Sequence, residues 1–177
     1  MRACGRQGGS QRGLTIVEMM VALAVAAILL GVGVPAFNGL VAQRTLTTQA
    51  NDFLIAVQYA RSEASRRGEL ISVRAQATAS GNEWGGGWCV VIGTDNACNA
   101  TNDTVLRRFP AIGPNTLAGD GGLDGEPILT FNSRGVLTPA LEGQLHLCNP
   151  NANRDPGREL RLSRVGRVSI TEFECHP

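Results

Sequence analysis

Lysine is absent from this 177-residue sequence, so its 16 basic residues are all arginine. They are nearly balanced by 15 acidic residues, and the formal net charge is +1. The chain therefore lacks the bulk positive charge of many nucleic-acid-binding proteins, and any such binding would have to rest on a local patch. Arginine nevertheless suits bidentate contacts with phosphate groups.

Motifs for metal binding and catalysis are also missing. No pair of the five cysteines has the C-x2-C spacing of a zinc site, and the two histidines, His146 and His176, match no zinc-finger pattern. His146 alternates with two leucines, which predicts an outward-facing strand residue. Neither histidine has a serine or cysteine nucleophile as a plausible partner. We therefore expect no metal, no cofactor and no enzymatic activity.

Charge is missing from one long stretch near the N-terminus. Met19 to Phe37 is a run of 19 residues without a charged side chain, and about 20 apolar residues are needed to cross a bilayer. Arg2, Arg6 and Arg12 precede the run and no acid does, which predicts a cytoplasmic N-terminus and an outward-facing remainder. A secretory signal peptide is the alternative. Against it, no small-x-small cleavage site follows directly, and the helical pattern continues beyond Pro35.

The residues at the start of this stretch carry a specific pattern. Gly13-Leu14-Thr15-Ile16-Val17-Glu18, followed by the apolar run and a proline, resembles the class III leader and N-terminal helix of type IV pilins and pseudopilins. The resemblance implies that a prepilin peptidase cleaves between Gly13 and Leu14 and methylates the new amine of Leu14, where the family usually has phenylalanine. It also implies that Glu18 pairs with the terminal amine of a neighbouring subunit. Such a pair can exist inside an apolar assembly where either charge alone would be costly.

The resemblance also implies partners and a location. Cleavage would remove three arginines and no acid, leaving 13 arginines against 15 acidic residues. The partners would be other pilins and minor pilins, the peptidase and the bacterial inner membrane. The protein would cross that membrane once, with its C-terminal domain in the periplasm until assembly into a pilus.

Four segments follow from these patterns. They are a leader over 1–13, a membrane or filament-core helix over 14–37, an amphipathic second half of that helix over 38–67, and a β-rich periplasmic domain over 68–177. The second half of the helix has apolar residues every three or four positions. These residues are Leu46, Ala50, Phe53, Val57, Ala60 and Ala64. Arg66, Arg67 and a glycine predict the end of the helix.

Beyond residue 68 the pattern changes to short strands separated by turns. The predicted strands are Leu70–Val73, Trp88–Ile92, Thr104–Leu106, Pro127–Phe131, Gln144–Cys148, Glu159–Leu162 and Arg167–Ile170. Gly85–Gly87 and Gly119–Glu126 are predicted to be exposed loops, and Trp84 and Trp88 to be core or loop anchors. A long helix against an antiparallel sheet is an α+β fold, the arrangement of the pilin fold that the resemblance implies.

The cysteines predict two disulfides. Cys4 would be lost with the leader, and an even number in an oxidising compartment indicates disulfide bonds. The remaining four allow three pairings. Chain proximity favours Cys89–Cys98, which closes a short loop, and Cys148–Cys175, which holds the last strand.

The later part of the chain resembles one branch of the family. Its landmarks are, in order, Arg61-Ser62-Glu63-Ala64, Trp88-Cys89, Phe131-Asn132-Ser133-Arg134-Gly135, Leu147-Cys148, Arg158 to Ser163 and Gly166-Arg167-Val168. This succession is similar to the FimT/GspH family, and its Leu-Cys pair and late Gly-Arg favour the FimT branch. The resemblance implies a minor pilin that enters or primes a type IV pilus. The alternative is a GspH-like minor pseudopilin of a type II secretion system, with a purely structural role.

The FimT branch also implies a hypothesis about DNA. Some FimT relatives bind DNA in natural transformation through a C-terminal Gly-Arg-x-Arg motif. Gly166 and Arg167 match this motif, whereas Ser169 replaces its second arginine. This stretch belongs to a cluster of five arginines within 14 residues: Arg154, Arg158, Arg161, Arg164 and Arg167.

Strand alternation predicts which of these arginines share a surface. If Leu160 and Leu162 face the core, Arg161 points outward, while Arg164 lies in a turn beside Arg167. The three could contact phosphates of double-stranded DNA without reading bases. Alternatively, they protect a solvated strand edge. Phe173 is the only aromatic residue nearby, so stacking on single-stranded DNA is not expected.

Overall fold

The computed structural model describes residues 13, 15–79, 81–94, 97–99, 104–150 and 156–175, with the backbone alone at 32–36 and 38. Several positions named above lie outside the described residues: 1–12, Leu14, Arg154 and His176. The chain divides into two compact units, Met1–Leu40 and Val41–Pro177.

One helix, α1 at Ile16–Arg67, contributes to both units. It begins two residues after the predicted start, because Thr15 acts as its N-cap: the Thr15 hydroxyl accepts a hydrogen bond of 3.2 Å from the Glu18 amide. It ends as predicted at Arg67. Gly68 then adopts a φ of 73° and donates its N–H to the Ala64 carbonyl at 2.9 Å, a glycine-dependent helix end.

In the first unit, α1 exposes apolar side chains. Ile16 is 81% exposed, and Leu23, Ile28 and Leu29 are each exposed to about two thirds. No helix in the described part of the chain contains an apolar stretch long enough to cross a membrane.

In the second unit, the predicted apolar stripe of α1 is buried. Each of its six residues is at most 1% exposed. Phe53 meets the indole rings of Trp84 and Trp88 edge-on, with centroids 5.1 and 5.3 Å away. Both tryptophans are 1% exposed, so the prediction that they anchor the core is confirmed.

Eight strands form two antiparallel sheets of four strands each. Their bounds are β1 Ile71–Ala75, β2 Trp88–Ile92, β3 Val105–Phe109, β4 Thr116–Gly121, β5 Ile128–Phe131, β6 Gly143–Cys148, β7 Pro156–Leu162 and β8 Val168–Glu174. The first sheet has the order β3-β2-β1-β5 and the second β4-β6-β7-β8. The inner faces of both sheets and the stripe of α1 share one core cluster. The α+β fold is confirmed, with two sheets in place of one.

The glycine-rich segments differ from the prediction. Gly119 to Gly121 belong to β4, and Leu123 is 1% exposed. A side chain at Gly119 would collide with the Leu123 carbonyl oxygen, so glycine is required here for close approach of the backbone. Gly85 and Gly87 are buried as well. The prediction of exposed loops over Gly85–Gly87 and Gly119–Glu126 was therefore wrong for most of these residues.

A buried turn holds the outer side of β4. The Asn82 side chain accepts a hydrogen bond of 2.8 Å from the Leu117 amide, and the Glu83 carboxylate accepts one of 3.0 Å from the Gly119 amide. These partners lie more than thirty positions apart in the chain, so a local pattern could not reveal them.

Both disulfides that chain proximity favours are present in the structure. Cys89–Cys98 has a Cα–Cα distance of 5.6 Å and Cys148–Cys175 one of 5.9 Å. The first ties a loop to the first sheet, and the second ties the end of β8 to β6.

The turn between β7 and β8 contacts the first sheet through a glycine. Gly166 is buried with a φ of 77°, and a Cβ at this position would overlap the edge of the Phe131 ring on β5. We expect Gly166→Ala to lower the free energy of unfolding by about 2–4 kcal/mol, because positive φ costs about 1–2 kcal/mol and overpacking adds about 1–3 kcal/mol. Urea denaturation measures the change.

Gly125→Ala provides the matched control. Gly125 has a φ of 70° but open space around its missing Cβ, so this variant should lose only the backbone contribution. Equal losses in the two variants would contradict the contact with Phe131.

Candidate functional site

The first candidate site is the start of α1. Gly13 is exposed with nothing near its Cα that would block access, and Glu18 lies exposed in the first helical turn. Thr15 and Glu18 have the spacing of a capping box, and a carboxylate in the first turn is favoured by the helix dipole. Glu18 therefore has a local role in addition to the predicted one. The predicted amine partner, Leu14, lies outside the described residues.

The second candidate site is the C-terminal hairpin, β7-turn-β8. Arg161 lies on the outer face of β7 opposite Ser169, while Leu160 and Leu162 are each 1% exposed. Arg164 lies in the turn, and Arg167 follows the buried Gly166. The structure thus brings three arginines to the exposed side and tip of one hairpin, with the orientation that alternation predicts.

Carboxylates accompany most arginines of this hairpin. Arg161 lies 3.1 Å from Glu159, and Arg164 lies 2.9 Å from Glu142. Because these pairs are exposed, each contributes roughly 0–1 kcal/mol to stability, but each also reduces the local positive charge. Among the described residues, no ion pair includes Arg167.

Arg158 points the other way. Its guanidinium donates a hydrogen bond of 3.2 Å to the Thr47 hydroxyl on α1 and lies 3.8 Å from Glu172. It therefore joins β7 to the helix and does not belong to the outward-facing surface. Sequence reasoning grouped it with the other arginines because proximity in the chain does not distinguish the two faces of a strand.

His146 lies on the outer face of the second sheet, as predicted. Its ring stacks on Phe173 with centroids 4.0 Å apart, and its Nε2 is 3.7 Å from Glu159. Phe173 is therefore occupied by a ring of the same protein. In the described part of the chain, no group of three or more acidic, histidine or cysteine side chains is arranged to hold a metal.

Two of the sequence landmarks meet at the end of α1. Gly135 has a φ of 69°, and a Cβ there would come within 2.7 Å of Ser65 Oγ on the helix. The Asn132 side chain accepts hydrogen bonds from the Arg134 and Val136 amides, at 3.0 and 3.2 Å. This tight turn rests on the helix, which explains an asparagine followed three residues later by a glycine.

Glu63 is the electrostatic centre of this helix end. It is 8% exposed and accepts hydrogen bonds from Arg66 at 2.6 Å and Arg67 at 2.7 Å. The Arg66 hydrogen bond, followed by that of Arg67, holds the pKa of Glu63 below its ordinary value, and burial opposes this only in part. Sequence reasoning placed Glu63 off the apolar stripe and missed its burial.

The family described as Type II transport protein GspH matches residues 49–166, and the prokaryotic N-terminal methylation motif matches residues 9–34. The crystal structure of the type IV minor pilin FimU from Pseudomonas aeruginosa PAO1 has a TM-score of 0.59 at 26% identity, covering 73% of this chain and 90% of that one. A second crystal form gives 0.56 at 27% identity, with 71% and 91% covered.

The minor pseudopilin EpsH from the type 2 secretion system of Vibrio cholerae has a TM-score of 0.52 at 16% identity, covering 71% of this chain and 95% of that one. At that identity the likeness shows the fold alone. No curated protein matches the sequence.

The helix and its two antiparallel sheets therefore form the pilin fold, and the protein is a minor pilin or pseudopilin of the type IV pilus and type II secretion families. Because the family match covers well over half of the sequence, the chain belongs to the GspH family. The methylation motif implies a pilin anchored in a membrane and assembled into a filament.

The Glu63 contacts generate a pH prediction. A carboxylate whose pKa is lower in the folded state stabilises the protein above its unfolded pKa of ~4.3, and this contribution is lost as the pH falls through the folded pKa. We expect Glu63→Gln to lower the free energy of unfolding at pH 7 and to flatten its decline below about pH 4.3. Urea denaturation across this range measures both effects.

The matched control is Glu69→Gln, which removes an exposed carboxylate just beyond the same helix end. It should change the stability at pH 7 less than Glu63→Gln does and should leave the acid limb of the profile close to that of the wild type. Parallel pH profiles for the wild type and Glu63→Gln would contradict the assignment.

Proposed function

We propose that the protein is a minor pilin of a type IV pilus, cleaved between Gly13 and Leu14, methylated on Leu14 and assembled into or priming the filament. The observation that carries the proposal is the first half of α1. Its apolar side chains are exposed, and its first turn carries a single carboxylate. A helix with exposed apolar surface needs lipid or neighbouring helices around it, and a filament core of packed helices supplies them.

Similarity favours the pilus over the secretion system. FimU is 26–27% identical to this chain, whereas EpsH is 16% identical. A GspH-like, purely structural pseudopilin of a type II secretion system is the alternative function. Restoration of piliation, but not of protein secretion, by this gene in strains lacking the corresponding minor subunits would support the pilus, and the reverse result would support the alternative.

The proposed location is the bacterial inner membrane before assembly. The protein would cross it once through 14–37, with the arginine-rich N-terminus in the cytoplasm and the β domain in the periplasm. Both disulfides suit that oxidising compartment. The partners are the prepilin peptidase and other pilins, and we expect no catalytic activity.

We predict that Glu18→Ala impairs assembly but leaves the β domain folded. The carboxylate would lose its pairing with the terminal amine of a neighbouring subunit, and that amine would remain uncompensated among apolar side chains. Immunoblotting of sheared pili measures incorporation, and formation of both disulfides reports folding.

Thr15→Ala is the control for the local role of Glu18. It removes the N-cap at a cost of about 1 kcal/mol but keeps the carboxylate, so it should reduce incorporation less. Normal incorporation of Glu18→Ala would refute the pairing.

Binding of double-stranded DNA is a second proposed function. The supporting observation is the exposed grouping of Arg161, Arg164 and Arg167 around Gly166, in which Arg167 has no ion pair among the described residues. Phosphate contacts of this kind position DNA without reading its sequence. The pairs with Glu159 and Glu142 would have to open or be shared on binding.

We expect the Arg161/Arg164/Arg167→Ala triple variant to bind duplex DNA more weakly than the wild type. If each arginine contacts one phosphate, the slope of log affinity against log salt should fall by about 2.7. Filter binding by the detergent-solubilised full chain at two or more salt concentrations measures it. Arg44→Ala/Arg134→Ala removes exposed charge elsewhere and serves as the control. An unchanged slope in the triple variant would exclude the hairpin as the contact surface.

A further inference from the structure

A second group of arginines lies on the outer face of the first sheet, far from the C-terminal hairpin in the chain. Cross-strand pairing aligns Arg74 on β1 with Cys89 on β2, and Cys89 with Arg108 on β3. Paired residues of antiparallel strands share a face, so the two arginines flank the disulfide-bonded cysteine. Their backbones are two strand spacings apart, or about 10 Å.

The disulfide loop fixes both side chains. Arg74 Nη1 donates to the Thr94 carbonyl at 3.0 Å, and Arg108 Nε donates to the Cys98 carbonyl at 3.0 Å. Cys98, Cys89 and the neighbouring Val91 form a small buried cluster of their own. The loop is thus held against the sheet, and the guanidinium groups have little rotamer freedom left to lose on binding a ligand.

The two arginines line a groove of about 560 Å³, within the range of small-ligand sites. Its polar lining includes Thr78, Asn99 and Gln76, whose amide is itself fixed by a hydrogen bond of 3.0 Å to the Phe109 carbonyl. None of the described residues that line it carries a carboxylate. This differs from the C-terminal hairpin, where Glu142 and Glu159 accompany the arginines.

We propose that this groove binds a phosphate or phosphodiester group between Arg74 and Arg108. Guanidinium groups match the oxygen geometry of phosphate through paired N–H donors. An anion would also relieve the mutual repulsion of two like charges held on one face of a sheet. The hydroxyl of Thr78 and the amide of Asn99 provide further hydrogen-bond donors. The inference goes beyond the proposed structural role and does not depend on the hairpin.

Pinning of the loop alone is the competing explanation for these arginines. It accounts for one N–H of each guanidinium, whereas a guanidinium has five. Within the described residues no ion pair includes Arg74. The groove therefore offers Arg74 donors that loop pinning leaves unused.

The test is calorimetric titration of the detergent-solubilised full chain with inorganic phosphate, with chloride replaced to keep the ionic strength constant. The wild type should bind, and Arg74→Gln or Arg108→Gln should weaken binding by about tenfold or more, as expected for loss of a charge-assisted hydrogen bond. Arg134→Gln, which removes an exposed arginine in another turn, should bind like the wild type.

A short DNA duplex in the same titration distinguishes the sources of phosphate. Duplex binding that inorganic phosphate displaces, and that Arg74→Gln weakens, indicates a nucleic-acid backbone. Phosphate binding without duplex binding indicates a free anion. Failure of the wild type to bind either probe would overturn the proposal without reliance on any variant. Equal binding by the wild type and by Arg74→Gln/Arg108→Gln, with disulfides intact, would also overturn it.

Discussion

The burial of one face of α1 against two sheets is the constraint on which the β domain depends. Leu46, Phe53 and Val57 are each 1% exposed, and full burial of such a side chain contributes about 1.5–3 kcal/mol. A small domain has few other sources of apolar burial. The strands present their leucines, valines and tryptophans to this helix, and both sheets meet in a single core.

Electrostatic contacts refine this arrangement. Glu63 holds two arginines at the end of the helix, and Arg158 reaches from β7 to Thr47 on the same helix. In a chain without lysine, arginine serves structural and surface roles alike. Arg158 joins two elements, Arg161 and Arg164 are accompanied by carboxylates, and Arg74 and Arg108 hold a disulfide loop beside a groove. The count of arginines in a segment therefore says little about the charge that the segment presents.

Much of the fold could be predicted because its signals are local. The 3.6-residue period marked the buried stripe of α1, and Arg67 followed by glycine marked its end. All seven predicted strands are present. The strand that was missed, β4, contains Gly119 and Gly121, and glycine is usually depleted from strands. Its glycine is required by the Leu123 carbonyl, and its outer side is held by Asn82 and Glu83, none of which a local pattern reveals.

The sequence by itself determined the features that depend on spacing along the chain: the motif around Gly13 and Glu18, the long helix, the alternation that turns Arg161 outward, and cysteines close enough in the chain to pair. The tertiary structure alone decided how the strands divide into two sheets, that Arg164 meets Glu142, that Gly166 packs on Phe131, and that Arg74 and Arg108 flank Cys89. The physical reason is that side-chain periodicity follows from backbone geometry over a few residues. Contacts between distant segments depend instead on which apolar faces are buried together.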